Sequence, residues 1–385
     1  MKLMNKILKR LFTRLSSPLP PWEGLGVGLL LLLVGSASLL AQNDPFPKVN
    51  FRLYQGNMTI TAQVVQNGQV VTDAIVAVYC GETIRGKKTV GSGTNPQLAY
   101  LTVYGDNTIE QQQLHFKVYT GGIIFTYAPS TAVIFKNNSS IGTSAAPYTI
   151  TLPVSLADNA DNSSLLATYD TQTCDVVLTG RTLYKDGKWN TLCLPFDVVL
   201  DGSPLEGADV RALSSADLTD GILTLNFTGE RTVTELEAGT PYIIKWESGD
   251  NLVSPVFTGV TVNNASNDFT SADGKVQFKG TYTYRTFSDV DNSVLLMTGD
   301  NYLRHPGNGA TLKPFRAYFE LSKGSPVKEF VLNFGEDDPD GIENVQCSMF
   351  NVQCDDCWYD LVGRKLSGRP VQNGIYIYNG RKVIK

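Results

Sequence analysis

Short runs of alternating apolar and polar residues recur along the chain and predict β-strands. Residues 58–65 (MTITAQVV) have the two-residue period of a half-buried strand. Asn67-Gly68 follows, a pair typical of the type I′ turn of a β-hairpin. Further strand-like runs are residues 74–80, 98–104, 114–119, 123–127, 132–136 and 148–153. Seven short strands over about a hundred residues predict an immunoglobulin-like β-sandwich across residues 46–153.

A second set of strand-like runs predicts a larger antiparallel β domain, a sandwich or jelly roll, across residues 164–334. The runs are residues 174–183, 189–195, 222–227, 242–246, 253–262, 275–284, 294–297, 317–321 and 329–334. Turn pairs such as Asp220-Gly221 separate them. Residues 214–218 are predicted as one helical turn, and residues 157–162 (ADNADN) as a polar linker between the domains. The predicted fold class is therefore all-β.

The first 41 residues have the features of a secretory signal peptide. Residues 1–14 are basic, residues 25–34 (LGVGLLLLLV) are apolar, and small residues precede Ala41, near which we place the cleavage site. A membrane anchor is the alternative, but the unbroken apolar run is about half of the ~20 residues that a spanning helix needs. We therefore expect export, with no transmembrane anchor after signal cleavage.

Charge and histidine content narrow the possible functions. The formal net charge is −5; the leader contributes +4, so the remainder carries −9. Such an acidic body argues against nucleic-acid binding, which needs clustered Lys and Arg. Only two histidines occur, His115 and His305, and we interpret them as a strand residue and a turn residue.

Three acidic residues in one polar segment are the main catalytic candidates. Glu230, Glu235 and Glu237 could form the paired carboxylates of a glycosidase, although solvated loop charges explain them better. Sugar-stacking aromatics are a second possibility, with Tyr54, Tyr127, Trp189 and Trp246 as candidates; in sandwiches such residues more often belong to the core. We expect no catalytic residue, cofactor or metal site.

The cysteines and an acidic run offer weak alternatives for metal or redox chemistry. Residues 335–357 are predicted as a spacer that holds EDDPD (336–340) and Cys347, Cys354 and Cys357. The run lacks the calcium-loop spacing, and NVQC occurs twice, at 344–347 and 351–354, as a short duplication. Cys174 and Cys193 could form a disulfide or remain two unpaired thiols.

Residues 358–385 carry the most specific pattern in the chain. They predict a small C-terminal β-hairpin tail with a turn at Asn379-Gly380. The pattern YDL-x-GR…GIYI-x-NG-x-KV-x-K resembles the C-terminal sorting signal of type IX secretion substrates of Bacteroidetes; a terminal hairpin that completes the second domain is the alternative. The positions that fit are Tyr359, Asp360, Gly363, Arg364, Gly374, Tyr376, Asn379, Gly380, Lys382 and Lys385. The segments before the tail also resemble β modules of Bacteroidetes secreted and surface proteins.

These observations predict a non-catalytic secreted or cell-surface protein that reaches the outside through the periplasm. The resemblance implies export and surface-sorting machinery as partners. Adhesion or ligand binding is the expected role, with a host or matrix protein or a glycan as the ligand. A carbohydrate-binding module or glycoside-hydrolase accessory protein is the alternative, and a glycosidase on a sandwich fold is the least favoured possibility.

Overall fold

A computed structural model describes residues 44–106, 112–322, 327–334, 345–348, 358–359, 366, 369–370, 375–378 and 381–384. The signal peptide predicted at residues 1–41 lies outside this part of the chain. Residues from Phe46 to Lys385 form one compact unit, and the predicted division of this unit into two domains stays a prediction. No helix within the described ranges has the length and apolar character needed to cross a bilayer.

The N-terminal part of this unit is a β-sandwich, preceded by a 3₁₀ turn at Phe51–Leu53. Its strands are β1 (Gly56–Gln66), β2 (Gln69–Val70), β3 (Ile75–Cys80), β4 (Thr83–Thr89), β5 (Ala99–Gly105), β6 (Gln113–Thr120), β7 (Ile123–Tyr127), β8 (Val133–Ile134), β9 (Ser140–Ile141) and β10 (Tyr148–Thr151).

Two sheets face each other in this sandwich. In the first, β1 pairs with β2 and β5 in antiparallel and with β9 and β10 in parallel orientation. In the second, the order is β4-β3-β6-β7, and β8 also pairs with β6. The inward residues of both sheets, for example Ile60, Val76 and Phe116, are fully buried in one cluster. Removing these apolar side chains from water stabilises the module, and the predicted sandwich is confirmed.

The predicted hairpin turn at Asn67-Gly68 is also confirmed. Both residues have positive φ, 51° and 71°, and they connect Gln66 to Gln69, which are paired across β1 and β2. Glycine and asparagine tolerate this left-handed backbone better than other residues. The two-residue pattern of MTITAQVV therefore continues into the turn that its sequence predicts.

The C-terminal part contains the one α-helix of the described residues, α1 (Ser163–Tyr169), and many short strands. They are β11 (Val154–Ala157), β12 (Thr173–Thr179), β13 (Thr182–Leu183), β14 (Asn190–Cys193), β15 (Val198–Val199), β16 (Asp209–Thr219), β17 (Ile222–Phe227), β18 (Glu235–Leu236), β19 (Pro241–Lys245), β20 (Leu252–Val253), β21 (Val256–Thr261), β22 (Phe269–Thr270), β23 (Val276–Thr281), β24 (Arg285–Thr286), β25 (Val294–Met297), β26 (Leu303–Arg304), β27 (Thr311–Leu312), β28 (Arg316–Leu321), β29 (Glu329–Asn333) and β30 (Val345–Ser348).

Two main sheets organise this part. One has the order β14-β19-β16-β17-β29-β30 and the other β22-β23-β28-β25-β26. A common apolar cluster holds Leu223 and Ile243 from the first sheet and Phe278 and Phe319 from the second. The Phe278 and Phe319 rings stack with centroids 4.5 Å apart. Most pairs are antiparallel; β11–β12 and β17–β29 are parallel. The all-β prediction is confirmed.

Two local predictions are wrong. Residues 214–218, predicted as a helical turn, lie within β16, which forms a hairpin with β17 around Asp220-Gly221. Cross-strand pairing outweighs the weak local helical preference of this segment. Residues 157–162, predicted as a polar linker, include Asp158 and Asn162, which are 4% and 1% exposed. The Asn162 side chain bonds the backbone N–H and C=O of Ala157, so this segment is a packed turn.

The described part of the C-terminal tail forms an antiparallel sheet of β31 (Trp358–Tyr359), β32 (Ile375–Tyr378) and β33 (Arg381–Ile384). Tyr378 pairs with Arg381 across the predicted Asn379-Gly380 turn. Trp358 is buried, and its ring lies 6.5 Å from that of Tyr376. The predicted hairpin tail is confirmed.

Before the tail, β30 lies within the predicted spacer and pairs with β29.

Candidate ligand-binding site

A cleft of about 200 Å³ in the C-terminal part combines buried charge with an exposed aromatic ring. We call it the Arg181 cleft. Its walls come from two loops, one between β13 and β14 and one after β25. Its lining includes Arg181, Tyr184, Asp186, Lys188, Trp189, Asn190, Thr191, Met297, Thr298, Gly299 and Arg316.

Side-chain and backbone hydrogen bonds hold the first wall, residues 184–190, in place. Asn190 accepts a bond from the Tyr184 N–H and donates one to the Tyr184 carbonyl, both 2.9 Å long. The Lys185 N–H donates to the Asn251 side chain at 3.0 Å, and the Gly187 N–H donates to the Trp246 carbonyl at 3.0 Å. A loop that is fixed at both ends in this way loses little conformational entropy when a ligand binds.

The second wall is connected to the first across the cleft. The Trp189 N–H donates to the Asn301 side chain at 2.9 Å, and the Lys188 ammonium lies 2.8 Å from an Asp300 carboxylate oxygen. Because Asp300 is 74% exposed, the ion pair contributes little stability. The Trp189–Asn301 bond is the firmer connection, because Trp189 is 7% exposed and its ring is also held by stacking on Phe334 at 5.2 Å.

Arg181 belongs to the floor of the cleft and is 4% exposed. Its Nη1 and Nη2 atoms donate to the carbonyls of Thr182 and Thr191, at 3.0 and 2.8 Å. Its Nε has no hydrogen-bond partner among the described residues. Burial is the main cause that lowers the pKa of Arg181 to about 9; repulsion from Arg316 acts in the same direction and attraction to Asp158 opposes both. Removal from water destabilises the charged form of a guanidinium in this position.

Arg316 lies beside Arg181 in the floor and is bound to Asp158. Both of its Nη atoms donate to the Asp158 carboxylate, and Nη1 also donates to the Pro314 carbonyl at 2.9 Å. Lys313 approaches the same carboxylate at 3.4 Å. Asp158 therefore pairs with Arg316 and Lys313, and the residue that the sequence places in a linker stabilises the floor of the cleft.

A larger cavity of about 380 Å³ lies near β15 and β18. Its lining holds Asp201, Glu206 and Glu235 together with Arg231. These four side chains are all exposed. The Arg181 cleft is the better candidate because its floor carries a buried charge.

The structure separates the three predicted catalytic candidates. Glu235 lines the larger cavity, whereas Glu230 and Glu237 are not part of its lining. All three are exposed, and Glu230 lies 3.4 Å from Arg231. Their non-catalytic role stays a prediction. Within the described residues, no cluster of three or more His, Cys, Asp or Glu is placed to hold a metal ion.

The predicted stacking aromatics are mainly structural. Trp189 and Trp246 are 7% and 5% exposed, and Trp246 Nε1 donates to the Glu206 carbonyl at 3.1 Å. Tyr54 lies under the Arg85 guanidinium at 4.3 Å, and Tyr127 packs against the first core. Sequence reasoning missed Tyr184, which is 53% exposed at the cleft. The sequence around Tyr184 does not indicate that this residue is exposed, because its exposure depends on the turn that follows β13.

The histidines and cysteines have structural environments. His115 lies in β6, its ring stacked on Tyr79 at 5.7 Å, and His305 Nδ1 is 2.8 Å from the Val294 carbonyl. Cys80, Cys174 and Cys193 are free, so the possible Cys174–Cys193 disulfide is not formed. Burial raises the pKa of the Cys193 thiol to about 12, which disfavours the reactive thiolate.

Several predicted site residues lie outside the described residues. They are Asp360, Gly363, Arg364, Gly374, Asn379, Gly380 and Lys385 of the tail, residues 336–340, and Cys354 and Cys357. Cys347 lies in β30, Tyr359 in β31, Tyr376 in β32 and Lys382 in β33. The three tail residues among these therefore lie in paired strands, and their role in sorting stays a prediction.

Comparison with known protein families finds no model that matches this chain, and none of the curated proteins compared with it matches either.

Proposed function

We propose that the protein is a non-catalytic, secreted or cell-surface protein that binds a ligand in the Arg181 cleft, in an adhesion or binding role. The observation that carries this proposal is the exposed Tyr184 ring beside a cleft whose floor contains a buried guanidinium. Support also comes from the loops, since recognition residues commonly lie on loops that a rigid β scaffold positions. A carbohydrate ligand is a second candidate, favoured by Tyr184 because an exposed ring can stack on a sugar.

Replacing Tyr184 with alanine is expected to weaken ligand binding about fivefold or more, since exposed aromatic residues often dominate binding energy. Glycans and matrix proteins would be screened with the purified protein, and the affinity of each hit measured for wild type and variant. Tyr284→Ala is the matched control, because Tyr284 is 38% exposed and outside the cleft lining.

Two results would contradict this proposal. If wild type and Tyr184→Ala bound every hit with equal affinity, the ligand would bind outside the Arg181 cleft. Turnover of a chromogenic glycoside, abolished by Glu235→Gln, would replace the non-catalytic role with a glycosidase that uses the larger cavity.

We further propose that residues 358–385 act as a surface-sorting signal after signal-peptide export. Support comes from the resemblance of the tail and from its paired strands β31, β32 and β33. Deletion of residues 358–385 is expected to leave the protein in the periplasm, measured by cell fractionation and by protease treatment of intact cells. A sorted surface protein from the same cells is the control. Unchanged surface delivery of the truncated chain would refute the sorting role.

A further inference from the structure

The charges in the floor of the Arg181 cleft are unbalanced. Arg181 and Arg316 both line it, while Asp158 supplies one buried carboxylate, which binds Arg316. At the rim, Asp186 and Lys188 carry opposite charges, and the Asp186 carboxylate accepts a bond from the Lys188 N–H at 3.1 Å. Because Lys313 pairs with the same Asp158 carboxylate, the floor has more positive than negative charge.

Arg181 is the cation of the floor that has no hydrogen-bonded carboxylate partner in the residues that the structure describes. Its hydrogen-bond partners are two neutral carbonyls, and its Nε has no partner within the described part of the chain. Burial and the neighbouring Arg316 lower the pKa of Arg181, so its charged form is disfavoured. A buried cation gains most from an anion that forms charge-assisted hydrogen bonds.

We infer that the Arg181 cleft binds a carboxylate-bearing sugar, a uronic acid unit of an acidic glycan, with its carboxylate directed to Arg181 and its ring against Tyr184. This inference rests on the proposed ligand-binding role of the cleft. The carboxylate supplies the missing negative charge, and a guanidinium whose partners are neutral carbonyls gains from an anion in its cleft. The sugar is favoured over an acidic peptide because Tyr184 presents an exposed aromatic ring at the same cleft.

The test compares an oligogalacturonate with its fully methyl-esterified form, using the full-length protein and titration calorimetry. The ester keeps the rings and hydroxyls but removes the negative charges. We expect the acid to bind at least about tenfold more tightly than the ester. This is the change in affinity that the loss of one charge-assisted hydrogen bond produces. Tyr184→Ala should weaken binding of the acid, and Tyr284→Ala should leave it unchanged.

A second measurement does not depend on a variant that folds poorly. The Arg181 Nε–H resonance of the wild-type protein, assigned with Arg181→Lys, should shift on addition of the acid and remain unchanged with the ester. In Arg181→Lys itself, thermal unfolding would verify the fold before its affinity is compared.

Each alternative result has a distinct meaning. Equal binding of acid and ester, both weakened by Tyr184→Ala, would overturn the anionic ligand and leave the cleft as a binding site. Binding of an oligoglutamate but of neither sugar, dependent on Arg181, would overturn the sugar. Binding of neither sugar nor peptide would overturn the inference. If Tyr184→Ala changes no binding at all, the proposed function of the cleft fails as well.

Discussion

Replacing Asp158 with alanine is expected to lower the free energy of unfolding by about 3–5 kcal/mol, the usual cost of removing one partner of a buried ion pair. The Asp158 side chain is 6% exposed, and it pairs with Arg316 and Lys313. Its loss would leave Arg316 near the buried Arg181 without a paired carboxylate, and repulsion already acts between these two guanidinium groups. Urea unfolding, followed by circular dichroism, would measure the change.

Asp300→Ala is the matched control for this prediction. Asp300 also forms an ion pair, with Lys188 at 2.8 Å, but its side chain is 74% exposed. Water and salt screen such a pair, so the expected loss is below about 1 kcal/mol. Similar losses for Asp158→Ala and Asp300→Ala would mean that the Asp158 network does not stabilise the floor of the cleft.

Gly239→Ala is expected to destabilise the fold by about 2–5 kcal/mol, through backbone strain and steric overlap together. Gly239 has a φ of +75°, which residues with a β-carbon rarely adopt, and an added β-carbon would overlap the Ala265 carbonyl oxygen. Because that neighbour is backbone, it cannot rotate away. The Gly239 N–H also donates to the Leu194 carbonyl at 2.8 Å, which restricts movement of the turn. Thermal and urea unfolding would give the loss.

Gly202→Ala separates the effect of backbone strain from the effect of steric overlap. Gly202 has a similar φ of +71°, but an added β-carbon would meet no atom within 4 Å. Only the conformational cost of about 1–2 kcal/mol is then expected. If both alanine variants lost the same amount, the close approach of Gly239 to Ala265 would contribute nothing to stability.

Local sequence patterns predicted much of the strand content. The alternation in residues 58–65 corresponds to β1, in which Met58, Ile60, Ala62 and Val64 are buried. Strand β17 matches its predicted range of residues 222–227. Strict alternation of apolar and polar residues identifies a strand that has one buried face. It missed β4, which has two lysines and a glycine among its seven residues, and α1, which is too short to show a helical period.

The Arg181 cleft was not predictable in the same way. Arg316 and Asp158 lie 158 positions apart, and neither stands in a motif that indicates a partner. The buried state of Asp158 arises because β11 pairs in parallel with β12 and its end lies near the start of β28. Trp189 and Tyr184 illustrate the same limit: five positions apart in one loop, the first is 7% and the second 53% exposed.

The sequence by itself determined the all-β class, the hairpin turns at Asn67-Gly68 and Asp220-Gly221, and the strand pattern of the tail. These features depend on side-chain alternation and backbone preference, which act between residues close in the chain. The tertiary structure alone decided that Asp158 pairs with Arg316, that Arg181 is buried with a free Nε among the described residues, and that Tyr184 remains exposed at the cleft. Those outcomes depend on which distant strands pair, and the balance of burial and charge at a site exists only after they have packed.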